Sequence, residues 1–217
     1  MQHAEDTELK EWSSLWRELL ETWSRELVSC GQFSMLLPEE ATKTNWLGFE
    51  GALEERIRAL EDRLGVDGLP PSYHSFLRVT DGWRMTGPFI PGLRSTETVG
   101  WLVDIDAEAV RAWREGERAQ DDGQSSVVAD EEYFVYGEEQ ACTAIRSEYL
   151  ETALLVSEKE ESGTAMYLLN PRVVSSGHEW EAWFWASWLP GAHRYRSFWD
   201  LMVAEHQQFL TLCPPVT

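Results

Sequence analysis

The sequence contains few cysteines and no long apolar segment. Cys30, Cys142 and Cys213 are widely spaced and odd in number, which argues against a disulfide framework and against a Cys-x-x-Cys metal or redox site. No run of about 18 uncharged apolar residues occurs, so we expect no helix that spans a bilayer. The first residues, MQHAEDTELKEW, lack the basic-then-apolar order of a signal peptide, and we predict a cytoplasmic protein.

The common catalytic and cofactor motifs are also missing. The sequence has no G-x-G-x-x-G, no phosphate-binding G-x-x-x-x-G-K-[ST] and no G-x-S-x-G. Its five histidines are scattered, and DIDAE (104–108) is better interpreted as a helix N-cap at Asp106 than as a calcium loop. Cys142 has acidic neighbours that oppose a thiolate, so we expect an inert, partly buried thiol. We therefore predict no catalytic residue, no metal and no cofactor.

Basic residues are scarce, and lysine above all. Eighteen bases oppose 38 acids for a net charge of −20, and only three of the bases are lysines. Such a surface repels nucleic acid and anionic membranes, whose binding depends on Lys and Arg, and it attracts a basic partner. The alternative is that the charge only keeps the protein soluble.

Acidic clusters and tryptophans supply the candidate contacts for such a partner. The acids fall in predicted loops or strand ends, where solvated loop charge is the alternative interpretation. Tryptophan often anchors interfaces, although most of the 12 tryptophans should be core. The predicted partner-binding residues are Asp121, Asp122, Glu158, Glu160 and Glu161, with Trp83 and Trp101 as weaker candidates.

Several segments have the apolar period of a helix. A stripe from Leu9 to Leu27 predicts a helix over 5–29 that either docks on the following domain or meets another chain. A second helix is predicted before Gly65, and a short third helix runs from Pro70 and Pro71 to a stop at Gly82. A fourth is predicted over AEAVRAWREG (107–116), with its stop at Gly116, and a last one over SFWDLMVAEHQQFL (197–210), with Ser197 as its cap. The apolar face of the second helix is assigned to Phe49, Leu53, Ile57, Leu60 and Leu64.

Strand patterns fill the middle of the chain. The predicted strands are RMTGPFIPG (84–92), VGWLVDID (99–106), VVADEEYFVYG (127–137), TALLVSE (152–158), TAMYLLNP (164–171) and HEWEAWFWASWLPG (178–191). The last strand is apolar on both faces, so we place it centrally. The predicted fold class is α+β, with a single largely antiparallel or mixed sheet flanked by helices and an extra N-terminal helix. We assign 1–45 to a helical extension and 46–217 to the main domain.

The stretch GLPPSYHSFLRVTDGW (68–83) combines two prolines, a short amphipathic run and a closing Asp-Gly turn. It resembles the signature of the SUKH superfamily, with Leu69, Pro70, Tyr73, Phe76 and Leu77 in the family pattern, and Asp81-Gly82 where the family has Asn-Gly. Weaker matches follow in order: the Trp46–Gly48 motif, EYFVYGEEQ (132–140), SEYLETALLVSE, AMYLLNP and EWEAWFWASWLPGAHRYRSFWDLM. The resemblance covers about residues 46 to 210.

The resemblance implies a sheet flanked by helices and a binding protein without catalysis. The superfamily includes a fungal cell-wall synthesis regulator and many bacterial immunity proteins, which neutralise a cognate toxin. We therefore expect an immunity protein that occludes a toxin with a basic cleft, with no nucleic-acid or membrane partner. The alternative is a regulatory or scaffold module that docks through residues 5–29. An enzyme with an unrecognised carboxylate pair is a third alternative, since 38 acids make chance pairs common.

Overall fold

The computed structural model describes residues 2–120, 128–159 and 165–213, with side chains from residue 11 onward except at 34 and 116–120. In these ranges the α-helices are α1 (Gln2–Ser29), α2 (Gly31–Ser34), α3 (Glu39–Thr44), α4 (Glu54–Leu64), α5 (Pro71–Val79), α6 (Leu102–Ile105), α7 (Ala107–Gln120), α8 (Asp130–Tyr133) and α9 (Phe198–Leu212). The strands are β1 (Gly100–Trp101), β2 (Leu154–Leu155), β3 (Ala165–Val174), β4 (Trp180–Ala186) and β5 (Ala192–Tyr195). Two 3₁₀ turns cover Gly137–Glu139 and Ser147–Thr152.

The described strands form one antiparallel sheet in the order β1-β2-β3-β4-β5, in which each strand pairs with the next in sequence. The pairing of β3 with β4 changes register between Asn170 and Val174, and β3 continues past Pro171, where we predicted its end. This α+β architecture with an antiparallel sheet confirms the coarse fold prediction.

Both faces of the sheet are covered. Trp180, Ala182, Phe184 and Ala186 of β4 belong to one core cluster with residues of α1, α4, α5 and α9. The intervening Trp183 and Trp185 belong to a second cluster, on the side of α7 and the Ser147–Thr152 turn. Alternate residues of a strand point to opposite faces, so the predicted two-sided burial of this strand is confirmed.

Helix α1 is part of the main core. The side chains of Trp16, Leu20, Trp23 and Leu27 are fully buried in the first cluster. Trp16 packs edge-on against Phe76 of α5, with ring centroids 5.3 Å apart, and its indole N–H donates to the carbonyl of Ser72 at 2.9 Å. Of the two alternatives for the stripe, docking on the same chain therefore accounts for its described part.

A disulfide joins Cys30 to Cys213, with their Cα atoms 6.1 Å apart. The expectation against a disulfide framework was therefore wrong for this pair. Cys30 follows the last residue of α1 and Cys213 follows the last residue of α9. Because α1 and α9 pack in the same cluster, residues 183 positions apart in sequence become neighbours. Cys142 is free and partly buried, as expected.

The short helix of the opening motif forms as predicted. Pro71 lies at its first position, and Tyr73, Phe76 and Leu77 are fully buried. Gly65 ends α4 in the left-handed conformation, with φ 68°. Ser197 caps α9 by accepting a hydrogen bond from the amide of Asp200. The N-cap interpretation of Asp106 is also confirmed, since its carboxylate accepts from the amide of Ala109 at 3.0 Å.

Other boundaries were wrong. Helix α4 begins only at Glu54, so Phe49 and Leu53 precede it and are 44% and 69% exposed. Helix α7 passes through the predicted stop at Gly116. The segment 84–92 is not a strand, since the isolated bridges involve Trp83 and Leu93 on either side of it, and 102–105 is helical. The predicted strand 127–137 instead contains α8 from residue 130, because three consecutive acids at its N-terminus favour a helix start.

Candidate binding groove

An open groove of about 480 Å³ lies beside the Asp81-Gly82 turn of the opening motif. Arg56 of α4 lines it together with four chain segments that isolated antiparallel bridges align. The bridges pair Gly48 with Trp83, Trp83 with Leu93, and Leu93 with Ser157. The turn directs the chain from α5 into this ladder. The motif's sharp ending is therefore what brings sequence-distant segments to one surface.

Asp81 fixes the geometry of the groove. Its side chain is 8% exposed and accepts hydrogen bonds from the amide of Thr96 at 2.6 Å and from the Thr96 hydroxyl at 3.0 Å. Arg56 of α4 donates to the same carboxylate at 3.2 Å. Gly82 follows with φ 102°, and a Cβ there would lie 3.0 Å from the carbonyl oxygen of Leu93, so glycine suits this position. Asp81 therefore acts as a structural tie between three segments.

The charges of the groove are predominantly negative. Among the described residues that line it, Glu50, Asp81, Glu97 and Glu158 are acidic and Arg56 is basic. Arg56 also lies 3.3 Å from the carboxylate of Glu97, whose side chain is 73% exposed. The groove thus keeps exposed carboxylates that its own arginine does not fully offset.

An exposed aromatic ring borders these carboxylates. Phe49 is 44% exposed, and the guanidinium of Arg84 lies 4.0 Å from its ring centroid. Arg84 is itself held by the carbonyls of Leu47 and Gly48. A cation over the ring face orients the side chain, so the groove presents a positioned apolar contact beside its acids.

The structure places the predicted contact residues in different surroundings. Glu158 lines the groove and pairs with Arg94 at 3.3 Å. Trp83 is 1% exposed and packs against Trp46, so it belongs to the core and we omit it from the groove surface. Trp101 is half-buried against the first cluster. Asp121, Asp122, Glu160 and Glu161 lie outside the described residues.

Sequence reasoning missed Glu50, Glu97 and Phe49. Phe49 and Glu50 stand between Gly48 and Gly51, a signal for an irregular segment that the helical interpretation overrode. No sequence pattern marked Glu97 as a groove residue, because its position depends on the contact between Asp81 and Thr96.

A closed polar cluster lies elsewhere, around Glu181 of β4. The buried Glu181 carboxylate accepts from the hydroxyls of Tyr133 and Tyr136 at 2.5 and 2.8 Å, from the Trp183 indole at 2.6 Å and from the Asn170 amide at 3.2 Å. Burial and the adjacent carboxylate raise the pKa of both tyrosines well above its usual range.

Arg194 of β5 completes this cluster. Its side chain is fully buried, its guanidinium lies 3.8 Å from the Glu181 carboxylate, and it donates to the carbonyls of Tyr133 and Val135. The cluster binds 132–140 to the sheet, and so the EYFVYGEEQ motif has a structural role here.

Two described carboxyls have a raised pKa, and they occupy different places. Burial raises the pKa of Glu205 to about 7, and Glu205 lines a small cavity beside α9. Burial also raises the pKa of Glu179, whose carboxylate accepts from the amide and hydroxyl of Ser72 at the start of α5, both at 2.7 Å. Glu179 is not among the residues that line the Glu205 cavity. An acid–base pair in one cleft, which the enzyme alternative needs, is therefore not formed by these two groups.

Comparison with protein-family models gave no match, and comparison with curated proteins gave none either. In the described part of the chain, no helix is both long and apolar enough to cross a membrane. The same ranges hold no group of three or more His, Cys, Asp or Glu side chains placed to bind a metal ion.

Proposed function

We propose that this chain is an immunity protein that binds a cognate toxin and blocks it by stoichiometric occlusion, without catalysis. The observation that carries the proposal is the open acidic groove beside the Asp81-Gly82 turn, with exposed Glu50 and Glu97 and the aromatic Phe49 at its edge. The resemblance of the turn motif to the SUKH superfamily supports it, and with it a SUKH-like fold.

The chemistry of the groove favours a basic partner. A toxin that acts on nucleic acid needs a positive cleft for phosphates, and exposed carboxylates complement such a cleft and speed encounter. Glu158 contributes through its half-exposed carboxylate. Asp121, Asp122, Glu160 and Glu161 stay predicted contacts, since Glu160 and Glu161 follow Glu158 closely in sequence.

The alternative of a docking module through residues 5–29 is less favoured. The described apolar stripe of α1 is occupied by α5 and α9 of the same chain, so it is not free for a partner. Cytoplasmic location belongs to the proposal, because an immunity protein meets an incoming toxin there. Cytosolic thiols are usually kept reduced, so the Cys30–Cys213 disulfide makes cellular redox state a test of that location.

The test is binding to the toxin domain of the neighbouring gene, measured by calorimetry with charge-reversal variants. We expect Glu50→Lys/Glu97→Lys to weaken binding at least tenfold and to reduce its salt dependence, because salt screens exposed charges. The matched control is Glu108→Lys/Glu131→Lys, the same charge change at exposed positions on α7 and α8. Equal weakening by both double variants would show that the effect comes from net charge and not from the groove. Protection of cells without any physical complex would refute the binding mechanism.

A further inference from the structure

A second cavity, separate from the groove, lies between α9 and the loop 86–90. Its volume is about 20 Å³, room for one water-sized group, and Thr86, Phe89, Tyr167, Glu205 and Phe209 are among its lining residues. Phe89 is 43% exposed and packs against the half-exposed Trp188, with ring centroids 5.0 Å apart. The cavity thus combines a carboxyl group with an aromatic rim open to solvent.

The carboxyl group of Glu205 has little internal compensation. The Tyr167 hydroxyl donates to it at 2.6 Å and also lies 3.1 Å from the Thr86 hydroxyl. Within the described ranges, the residues lining the cavity include no lysine, arginine or histidine. An ionised carboxylate in such surroundings is unfavourable without a counter-charge.

The neighbouring titratable groups do not supply that counter-charge. Burial raises the pKa of Tyr167 on β3 and of Tyr195 on β5 above its usual range, so both phenols are neutral. Burial lowers the pKa of His193 on β5, which favours its neutral form. His206 of α9 contacts Glu26 of α1 at 2.5 Å. Glu205 therefore lacks a cationic partner in the described protein.

We propose that this cavity binds an alkylammonium group, with the Glu205 carboxylate as its counter-ion and the aromatic rings around it as cation–π contacts. An ammonium head is close to a water molecule in size, whereas a planar guanidinium needs more space. The apolar stem of the ligand would lie along Phe89 and Trp188 at the rim. A divalent metal is disfavoured because it requires several oxygen ligands, and one carboxylate lines the cavity.

An alkylammonium group has two sources, a free amine or a lysine side chain of a protein partner. Both present the same head and stem, so the cavity recognises the chemistry that they share. The inference stands independently of the acidic groove, which uses other residues.

The first experiment titrates the full chain with n-butylammonium chloride and follows backbone amide shifts by NMR at pH 8 and pH 6, with n-butanol as neutral control. Because burial raises the pKa of Glu205 to about 7, we expect saturable binding about tenfold weaker at pH 6 than at pH 8. Shifts should be confined to 86–90, α9 and β3, and butanol should cause none that saturate. Absence of saturable binding at pH 8, or pH-independent binding, would overturn the proposal.

Variants locate the binding. Glu205→Gln should abolish the response to butylammonium, while the matched Glu108→Gln, at an exposed carboxyl on α7, should keep it. Phe89→Ala, at an exposed position, should weaken binding several-fold and gives a second test if Glu205→Gln does not fold. Unchanged binding in both site variants would overturn the assignment.

A comparison of butylammonium with Nα-acetyl-lysine methylamide and its Nε-acetylated form distinguishes a free amine from a lysine side chain as the ligand. Tighter binding of the lysine derivative supports a partner's side chain as the ligand. Binding of butylammonium alone supports a free amine. Equal binding of the Nε-acetylated form, which carries no charge, would contradict the role of Glu205.

Discussion

Glu181 and Glu205 are two acidic residues withdrawn from solvent whose surroundings differ. Glu181 has four side-chain donors and the guanidinium of Arg194 nearby, all supplied by the protein itself. Glu205 has a hydrogen bond from Tyr167 and no basic residue among the described residues lining its cavity. A charge whose partners are all internal stabilises one arrangement of the chain, whereas a charge with an open side can exchange its proton or accept a cation. The comparison distinguishes a structural acid from a binding one.

Disruption of the closed cluster should destabilise the fold most. Arg194→Met removes the buried cation and leaves the Glu181 carboxylate uncompensated, which should lower the free energy of unfolding by about 3–5 kcal/mol. Urea denaturation followed by circular dichroism measures this loss. The double variant Arg194→Met/Glu181→Gln should recover part of it, because no buried charge remains. A loss as small as that of the exposed Glu108→Ala would show that the cluster does not stabilise the fold.

Removal of the disulfide tests whether the Glu181 cluster and the Glu205 cavity both depend on this cross-link. Cys30→Ser/Cys213→Ser should lower the free energy of unfolding by about 2–4 kcal/mol, with the free-thiol variant Cys142→Ser as control. Because Leu212 and Phe209 line the Glu205 cavity, we expect weaker butylammonium binding as well. Strands β4 and β5 carry the closed cluster. The part of their amide hydrogen exchange that proceeds through local opening, and not through global unfolding, should change little. Equal loosening of both regions would remove the distinction between them.

The contribution of Glu205 to stability depends on pH. The pKa of Glu205 rises from its ordinary 4.5 to about 7 on folding, so between these values the folded chain holds more protons than the unfolded chain. This contribution to stability is complete below pH 4.5 and is lost as pH rises through 7. Glu205→Gln should therefore gain about 1–3 kcal/mol on wild type between pH 5 and pH 8. Thermal unfolding at the two pH values measures it, and parallel curves for the two proteins would contradict the shifted titration.

The smallest effect on stability is expected in the acidic groove. Glu97→Lys changes a side chain that is 73% exposed, and exposed ion pairs contribute little, so stability should change by less than about 0.5 kcal/mol. Asp81→Ala, in the same groove but nearly buried, should cost about 1–3 kcal/mol because the amide of Thr96 loses its acceptor. Chemical denaturation of the two variants compares the stability contribution of the groove's exposed surface with that of the hydrogen-bonded frame around Asp81. Equal costs would show that the frame does not depend on Asp81.

Local sequence patterns correctly predicted the elements whose apolar residues recur with a regular period or whose ends carry a clear signal. The stripe of α1, the proline start of α5, the cap of α9 and the two-sided alternation of β4 are all present as expected. The strand predicted over 127–137 was wrong, because three acids favour a helix start at residue 130 and contacts with Glu181 hold the segment in place. Tyr133 and Tyr136 are three positions apart and would point to opposite faces of a strand, yet both hydroxyls donate to Glu181.

The binding surfaces were harder to predict. Glu50, Glu97 and Glu158 meet only through the Asp81-Gly82 turn and its ladder, so their common location depends on long-range pairing. Glu205 occupies an ordinary helical position in α9, and its isolation follows from the absence of a base among the described residues around it. A sequence pattern shows which residues are close to one another in the chain. It does not show that a carboxyl group lacks a basic neighbour in the folded structure.

The packing of α1 against α9 has a consequence for synthesis of the chain. Trp16 contacts Phe198 and Trp199, and Glu26 contacts His206, a partner 180 positions later. At about 5–20 residues per second, a ribosome needs roughly 10–40 s to add that stretch. During this interval α5 can cover part of the tryptophan stripe, but the remainder faces solvent or a chaperone. Helix α1 is thus made well before the elements that enclose it, and full burial of its stripe has to await synthesis of α9.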